Sequence, residues 1–201
     1  MTTGNTILNS ICVYCGSSPG TLAQYTEEAR AFGACLARER ITLVYGGGRV
    51  GLMGAVADGA LTAGGHVIGV IPSALVAKEV AHRGLSELRI VDSMHERKKV
   101  MAELADGFVA LPGGVGTLEE IVEMITWGQL GLHAKPCAFL NVAGFYDHLI
   151  RFLQGMVDHR FLMREHHSGL IFDNDRETLL TKLREFAPIQ VDRWSDPKNS
   201  P

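Results

Sequence analysis

The chain has 201 residues and a mass of 21.8 kDa, and 46% of its residues are hydrophobic while 20% are charged. This composition is typical of a folded globular domain and excludes a disordered, collagen-like or coiled-coil chain. The formal net charge of −3 argues against a general nucleic-acid binder, which would need a broad basic face, but allows a small anionic ligand.

Short apolar runs alternate with longer helical patterns along the chain. The runs that predict strands are residues 11–15, 41–45, 66–71, 88–92, 107–111 and 137–141. The stretches that predict helices are residues 22–39, 50–63, 94–105, 116–131, 145–158 and 175–186. Continuous apolar strands are typical of a parallel sheet covered on both faces. The order therefore predicts an α/β fold with a doubly wound, mostly parallel sheet and helices on both faces. We expect a single domain over residues 1–188, followed by a loose polar tail over residues 189–201.

Four cysteines occur, at positions 12, 15, 35 and 137. Cys12 and Cys15 spell C-x-x-C, but no second ligand pair follows at zinc spacing, and both lie in an apolar strand-like run. We interpret them as core thiols on opposite faces of that strand. No basic signal sequence and no run of 18 apolar residues occurs, so we expect no membrane association. Reduced thiols favour a cytoplasmic location.

Three glycine-rich segments follow predicted strands, at residues 16–20, 46–54 and 112–120. The carboxyl ends of parallel strands share one edge of the sheet, where ligands of open α/β sheets bind. Glycine lets backbone amides approach an anion, and a helix N-terminus adds a favourable dipole. Three such segments predict a ligand with a phosphate group. The alternative is a set of tight turns and close helix contacts.

A dinucleotide site is disfavoured, although Gly46, Gly48 and Gly51 match G-x-G-x-x-G. This pattern follows the second predicted strand, and the next strand ends at Ile71-Pro72 without the acid that would bind a ribose. The sequence G-x-x-x-x-G-K-[ST] is also absent, which disfavours a P-loop nucleotidase.

Two cations lie on the predicted helix at residues 94–105. Met94, Arg97, Lys98 and Met101 share one face at helical spacing, so the cations border an apolar stripe. A charge there is costly unless it is paired, which predicts contact with a phosphate or a buried carboxylate. Snorkelling at the edge of the stripe is the alternative. Lys99 points elsewhere and is expected to be exposed.

The third glycine-rich segment leads into a helix that begins with charged residues and continues as an apolar one. Thr117 could cap this helix, with Glu120 at the capping-box position three residues later. Glu119 and Glu120 could instead face sugar hydroxyls or an attacking water. The helix then carries apolar side chains around more than one face, which predicts a buried position and a partner subunit: Ile121, Val122, Met124, Ile125, Trp127 and Leu130.

A long connection covers residues 72–86 between two predicted strands. Long connections in compact domains are often lids or binding loops. A short extra helix without a function is an equal alternative. Elsewhere the eight histidines show no metal-ligand spacing, so we expect no metal.

Three motifs together resemble a known family. Residues 112–120 read PGGVGTLEE, residues 94–98 read MHERK, and residues 45–48 read YGGG. In this combination the chain, from about residue 11 to residue 186, resembles the Lonely guy family, the cytokinin riboside 5′-monophosphate phosphoribohydrolases. Members have often been labelled lysine decarboxylases. Nothing in this sequence suggests a pyridoxal phosphate site, and that label is set aside.

The resemblance implies hydrolysis of the N-glycosidic bond of an N6-modified adenosine 5′-monophosphate, giving a free base and ribose 5-phosphate. It implies that Arg97 and Glu120 are the catalytic pair, that no cofactor is needed, and that a Rossmann-like homodimer completes the pocket across its interface. The substrate-binding candidates, from the resemblance and the motifs together, are Ser17, Gly46, Gly47, Gly48, Glu79, Met94, Lys98, Gly113, Gly114, Val115, Gly116, Thr117, Glu119 and Thr126.

A non-catalytic carrier of a nucleotide or of the molybdenum cofactor on the same fold is the main alternative function. A carrier would need the glycine-rich segments but not the Arg97 and Glu120 pair, so their joint presence favours the enzyme. An NAD-dependent redox enzyme is a third possibility, which the missing ribose-binding acid disfavours.

Overall fold

The computed structural model describes residues 7–76 and 81–188. Within these ranges, seven strands form one sheet, and seven α-helices pack around it. The strands are β1 (Ser10–Tyr14), β2 (Thr42–Tyr45), β3 (Val67–Pro72), β4 (Glu87–Val91), β5 (Gly107–Ala110), β6 (Cys137–Leu140) and β7 (Leu170–Asp173). The helices are α1 (Ala23–Arg38), α2 (Gly51–Thr62), α3 (Met94–Leu104), α4 (Val115–Gln129), α5 (Asp147–Asp158), α6 (Arg164–Ser168) and α7 (Arg176–Arg184).

The sheet is wound in two directions from its centre. Its strand order is β4-β3-β2-β1-β5-β6-β7, and every neighbouring pair is parallel. Strands β2, β3 and β4 therefore lie on one side of β1, and β5, β6 and β7 lie on the other. The doubly wound α/β fold predicted from the sequence is confirmed. The crevice between the carboxyl ends of β1 and β5 is the place where this fold binds ligands.

Two apolar layers cover the sheet. Helices α1, α2 and α7 contribute Phe32, Val56 and Leu183 to one layer, and α3 and α4 contribute Met101 and Met124 to the other. Side chains of neighbouring strand positions alternate between the layers.

The first strand shows this alternation in its cysteines. Cys12 lies in the layer under α3 and α4, whereas Cys15 lies in the layer under α1 and α2. Both are buried and free, as are Cys35 and Cys137. The interpretation of the C-x-x-C pair as core thiols on opposite faces is confirmed.

Two elements had no counterpart in the sequence prediction. Strand β7 is half-buried at the edge of the sheet, and its apolar run has only three residues before Asp173. Helix α6 has five residues and no buried side chain, which leaves no amphipathic period to detect.

The long connection between β3 and β4 begins with a 3₁₀ turn at Ser73–Leu75. Ala81 then pairs with Gly48 in an isolated antiparallel bridge, which brings the connection back to the second glycine-rich segment. The substrate-binding candidate Glu79 and the predicted tail at residues 189–201 lie outside the described residues. Among the helices of the described ranges, none has the length and apolar character needed to cross a bilayer.

Candidate active site

The N-terminus of α4 lies open at the carboxyl edge of the sheet. The helix begins at Val115 after Gly114, and no side chain caps this end within the described residues. Gly114, Val115 and Gly116 are exposed, and a Cβ at Gly114 or Gly116 would meet nothing within 4 Å. The amides at the start of α4 are thus available to an anion that approaches from solvent.

The predicted cap at Thr117 is wrong. Thr117 is the third residue of α4 and is buried, with its hydroxyl so close to Gly113 that a Cβ at position 113 would overlap it. The helix begins at Val115, before Thr117, and Gly114 occupies the N-cap position in an extended conformation. Glu119 and Glu120 therefore lie in the second turn of α4 and do not act as its capping acids.

The second glycine-rich segment has a different role from the third. The amides of Leu52 and Met53, at the start of α2, donate to the Gly16 carbonyl at 2.9 and 3.3 Å. Gly51 lies against the Ser17 backbone, where a Cβ would collide with the main chain. The first glycine-rich segment therefore occupies the N-terminus of α2. At this segment the structure shows the close helix contact that was the alternative to phosphate binding.

The three carbonyls at positions 46, 47 and 48 each accept a hydrogen bond. The Gly46 carbonyl accepts from an Arg97 Nη at 3.1 Å, and the Gly47 carbonyl accepts from the His82 amide at 3.0 Å. The Gly48 carbonyl accepts from the buried Tyr45 hydroxyl at 3.1 Å. Gly47 has a φ of 76°, a value that favours glycine. This segment, called here the anchor loop (residues 46–48), holds Arg97 from the end of β2.

Arg97 is almost fully buried on the first turn of α3, with 6% of its surface exposed. Its Nε donates to the Val70 carbonyl on β3 at 3.1 Å, and one Nη donates to Gly46 on the anchor loop. The other Nη lies 3.9 Å from a Glu120 carboxylate oxygen. Two backbone carbonyls thus fix the guanidinium plane, and the remaining nitrogen faces Glu120.

The structure brings the two predicted catalytic residues together across the sheet edge. Glu120 is largely buried, with 15% of its side chain exposed, and comes from α4, whereas Arg97 comes from α3. In a site of low solvent exposure this ion pair fixes the position of the carboxylate more firmly than a surface pair would. The arrangement presents one oriented carboxylate beside the open end of α4.

Lys98 meets carboxylates of this chain. Its Nζ lies 2.6 Å from Glu119 Oε1 and 3.1 Å from Glu123 Oε1 on α4. The hydrogen bond that Lys98 donates to Glu119, together with the one that it donates to Glu123, outweighs the effect of partial burial and raises the pKa of Lys98. Of the two partners predicted from the sequence, a phosphate or a buried carboxylate, this structure shows the carboxylate. Lys99, in contrast, is exposed as predicted.

Glu123 was missed by the sequence reading. It lies one helical turn after Glu119 on α4, and the sequence analysis did not name it. The i, i+4 spacing of the two acids, opposite a buried lysine on the preceding helix, is the signal that could have identified it.

Three further substrate-binding candidates, Met94, Ser17 and Thr126, differ in how near they lie to the Arg97 and Glu120 pair. Met94 is exposed, and its sulfur lies 3.9 Å from an Arg97 Nη. Ser17 is exposed on the first glycine-rich segment. Thr126 is exposed and lies eleven residues after Val115, which is about 16 Å along the helix axis. Thr126 is therefore remote from the start of α4 in its own subunit.

Several apolar side chains of α4 are exposed, but they are not all the ones that the sequence analysis predicted for a partner surface. Ile121 and Met124 are fully buried against the sheet. Val115, Leu118, Val122 and Leu130 are exposed, and Thr126 lies on the same side. Because Met124 is part of the core, it does not belong to the surface that a partner could cover. In the ranges that the structure describes, no group of three His, Cys, Asp or Glu side chains is placed to hold a metal ion.

Several known proteins are similar to this chain over most of its length. A family described as "possible lysine decarboxylase" matches residues 53–183. A probable cytokinin riboside 5′-monophosphate phosphoribohydrolase of Oryza sativa subsp. japonica is 49% identical over 179 residues, which cover 89% of this chain and 79% of the relative. The cytokinin riboside 5′-monophosphate phosphoribohydrolase of Rhodococcoides fascians is 46% identical over 176 residues, covering 87% of this chain and 89% of the relative.

Solved structures share the fold at lower identity. A molybdenum cofactor carrier protein from Chlamydomonas reinhardtii superposes with a TM-score of 0.67 at 19% identity, covering 88% of this chain and 96% of that one. A molybdenum cofactor binding protein from Rippkaea orientalis gives a TM-score of 0.64 at 21% identity, covering 86% and 93%. At these identities the likeness concerns the fold alone. On the strength of its close relatives, this chain belongs to the family of cytokinin riboside 5′-monophosphate phosphoribohydrolases.

Proposed function

We propose that this protein hydrolyses the N-glycosidic bond of adenosine 5′-monophosphates, including N6-modified ones, and releases a free base and ribose 5-phosphate. The observation that carries this proposal is the buried Arg97 and Glu120 pair, at 3.9 Å, beside the open N-terminus of α4. A nucleotide carrier would need the helix N-terminus but has no use for a buried carboxylate held by an arginine.

The start of α4 would bind the 5′-phosphate. The amides of Val115, Gly116 and Thr117 point out of the first turn, and the helix dipole favours a negative charge at this end. The exposed glycines at 114 and 116 leave room for phosphate oxygens to approach the main chain. The 5′-phosphate would then fix the ribose with respect to Glu120, which follows one turn later.

Glu120 would act on the ribose during bond cleavage. As the bond between C1′ and the base nitrogen breaks, the electron pair leaves with the base and positive charge develops on the ribose ring. A carboxylate near C1′ stabilises that charge and accepts a proton from the water that attacks C1′. This proton then passes to the departing base nitrogen, so that the products are the free base and ribose 5-phosphate. Arg97 holds the carboxylate in place, because its own guanidinium is fixed by two backbone carbonyls.

The ribose hydroxyls would be recognised by Glu119. This carboxylate is 53% exposed, whereas its partner Lys98 is buried and also paired with Glu123. Glu123 can keep Lys98 neutralised while Glu119 turns to a bound sugar. Lys98 would therefore act through the orientation of Glu119.

A homodimer would bring Thr126 to an active site. The exposed apolar side chains of α4 are Val115, Leu118, Val122 and Leu130, and Thr126 lies among them. A two-fold axis through this face would bury it and would place Thr126 of one subunit near the start of α4 in the other. The four cysteines are buried and free, which is typical of a reducing compartment, and the proposal therefore includes a cytoplasmic location. The proposed reaction involves no nucleic acid.

The experiment is to incubate the purified protein with a panel of purine nucleoside 5′-monophosphates and separate the products by chromatography. The proposal predicts equal amounts of free base and ribose 5-phosphate from adenosine 5′-monophosphates, with no release by Glu120→Gln. Tight binding of a nucleotide without any base release would favour the carrier instead.

A further inference from the structure

His82 connects three parts of the molecule next to the active site. Its backbone amide donates to the Gly47 carbonyl of the anchor loop at 3.0 Å, and the preceding residue, Ala81, bridges Gly48. Its ring reaches α2, where Nε2 lies 3.1 Å from Asp58 Oδ1. The side chain is 10% exposed, so these contacts are largely shielded from water.

The ring contacts fix the tautomer of His82. Its Nδ1 accepts a hydrogen bond from the Gly84 amide at 3.2 Å. Because a backbone amide can only donate, Nδ1 must be unprotonated, and the proton of the neutral ring is on Nε2, from which it is donated to Asp58. Both ring nitrogens are satisfied by partners on different segments. The ring therefore fixes the backbone of residue 82, and with it the direction of the amide that binds Gly47.

The anchor loop links this histidine to Arg97. Gly46 accepts from the guanidinium and Gly47 accepts from His82, so adjacent carbonyls of one loop are held by the two residues. The Gly47 carbonyl belongs to the peptide unit between positions 47 and 48, which joins the planar unit carrying the Gly46 carbonyl at the Gly47 Cα. Rotation about the backbone dihedrals of Gly47 therefore changes the directions of the two carbonyls relative to each other. If the His82 ring did not fix the backbone of residue 82, its amide would hold the Gly47 carbonyl less firmly, and the direction of the Gly46 carbonyl would be less well defined.

We propose that His82 and Asp58 form a positioning pair that sets the Gly46 carbonyl, and through it Arg97, for the chemical step. The expected effect on turnover rests on the proposed hydrolysis, whereas the positioning of the Gly46 carbonyl does not. Since Arg97 holds Glu120 and the phosphate would bind at α4, the pair affects turnover more than substrate affinity. A displacement of a catalytic group by a fraction of an ångström is enough to slow a reaction severalfold or more.

The test compares substitutions at both positions. His82→Ala and Asp58→Ala remove the contact, and the double variant measures whether the two residues act together. His82→Gln keeps a donor near the Nε2 position, whereas His82→Asn keeps only the acceptor near Nδ1. Arg30→Gln is the matched control, because Arg30 lies 3.8 Å from the other oxygen of Asp58 and does not contact His82 in the described residues.

We expect His82→Ala and Asp58→Ala to lower kcat about tenfold with KM within about twofold, and the double variant to lose no more than the stronger single variant. His82→Gln should stay within about twofold of the wild type, His82→Asn should behave like His82→Ala, and Arg30→Gln should be unchanged. Unchanged kcat in His82→Ala, or equal loss in the Gln and Asn variants, would overturn the proposal.

Amide hydrogen exchange separates this proposal from the proposed function. The amide of residue 82 is present in every variant, and its exchange should be at least about tenfold faster in His82→Ala than in the wild type or Arg30→Gln. Equal exchange in all of them would overturn the positioning role, whatever the activity. If the wild type released no base, the proposed function would fail while the exchange still tested the pair.

Discussion

The Gly46 carbonyl binds the guanidinium of Arg97 at 3.1 Å, and the space beside Gly46 that a side chain would need is filled by the same guanidinium. A Cβ at position 46 would collide with an Arg97 Nη. A glycine at position 46 therefore leaves the space that the Arg97 guanidinium occupies, in addition to any contact that it makes with a ligand.

We predict that Gly46→Ala lowers kcat by roughly a hundredfold or more, because the methyl group displaces the guanidinium that holds Glu120. The folded structure should persist, since Arg97 keeps its hydrogen bond to Val70. Base release and thermal unfolding measure the two effects. Gly155→Ala on α5, where a Cβ meets nothing within 4 Å, is the control and should leave turnover unchanged. Normal turnover in Gly46→Ala would contradict the assigned role.

Glu120→Gln should lower kcat by roughly a hundredfold or more, since the amide cannot take the proton or carry the charge that the reaction needs. Because α4 begins at Val115 and Glu120 does not cap it, the thermal midpoint should change little. Glu103→Gln, an exposed acid on α3, is the matched control. Turnover near the wild-type value in Glu120→Gln would remove Glu120 from the mechanism.

Arg97→Lys is expected to be inactive. A lysine keeps the charge but cannot donate from a planar fork to Val70 and Gly46 while a further nitrogen faces Glu120. Buried carbonyls that lose their donors should also reduce the free energy of unfolding by about 1–3 kcal/mol. Chemical denaturation and base release give the two values, with Arg89→Lys on β4 as the control. Full activity would show that positive charge alone is sufficient.

The exposed face of α4 predicts the effect of a charge on assembly. Val122→Glu should weaken both self-association and turnover, because it places a charge where the proposed interface is apolar. Phe161→Glu introduces the same charge at a side chain that is 82% exposed outside α4 and should affect neither. Sedimentation gives the mass and base release the turnover. A wild-type monomer that is fully active at the assay concentration would contradict the dimer.

The buried thiols predict a dependence of stability on pH. Burial raises the pKa of Cys12, Cys15 and Cys35, and it raises the pKa of Cys137 to about 12. Above the usual thiol pKa of about 8.5, the unfolded chain releases protons that the folded protein keeps. The free energy of unfolding should therefore fall as the pH rises through this range.

Thiol labelling provides the measurement for this prediction. The folded protein should react slowly with a thiol reagent at mildly alkaline pH, and all four cysteines should react once it is unfolded. Rapid labelling of any one cysteine in the folded protein would show that its burial has been assigned incorrectly.

Much of the fold followed from local patterns in the sequence. The six strands with continuous apolar runs were predicted within about a residue or two, because a buried parallel strand needs apolar side chains on both faces. Strand β7 was missed because its apolar run, before Asp173, is only three residues long. The face of α4 that meets the sheet was also undetermined, since apolar residues surround the helix and periodicity alone cannot separate Met124 from Val122.

The candidate site was predictable in its residue types but not in its contacts. Helical spacing brought Arg97 and Lys98 to an apolar stripe, and burial then required partners for them. Which carbonyls and carboxylates are those partners depends on contacts between distant segments, such as Val70 with Arg97 and Lys98 with Glu123. The start of α4 at Val115 leaves Gly114, and not Thr117, at the N-cap, which the capping pattern of the sequence did not indicate.

We propose that the start of α4 holds the 5′-phosphate while the Arg97 and Glu120 pair acts on the ribose. The most direct measurement compares kcat/KM for base release from adenosine 5′-monophosphate and from adenosine under identical conditions. We expect kcat/KM for adenosine to be lower by roughly a hundredfold or more, since adenosine lacks the phosphate group that fixes the ribose at the site. Comparable values of kcat/KM for the two compounds would contradict it.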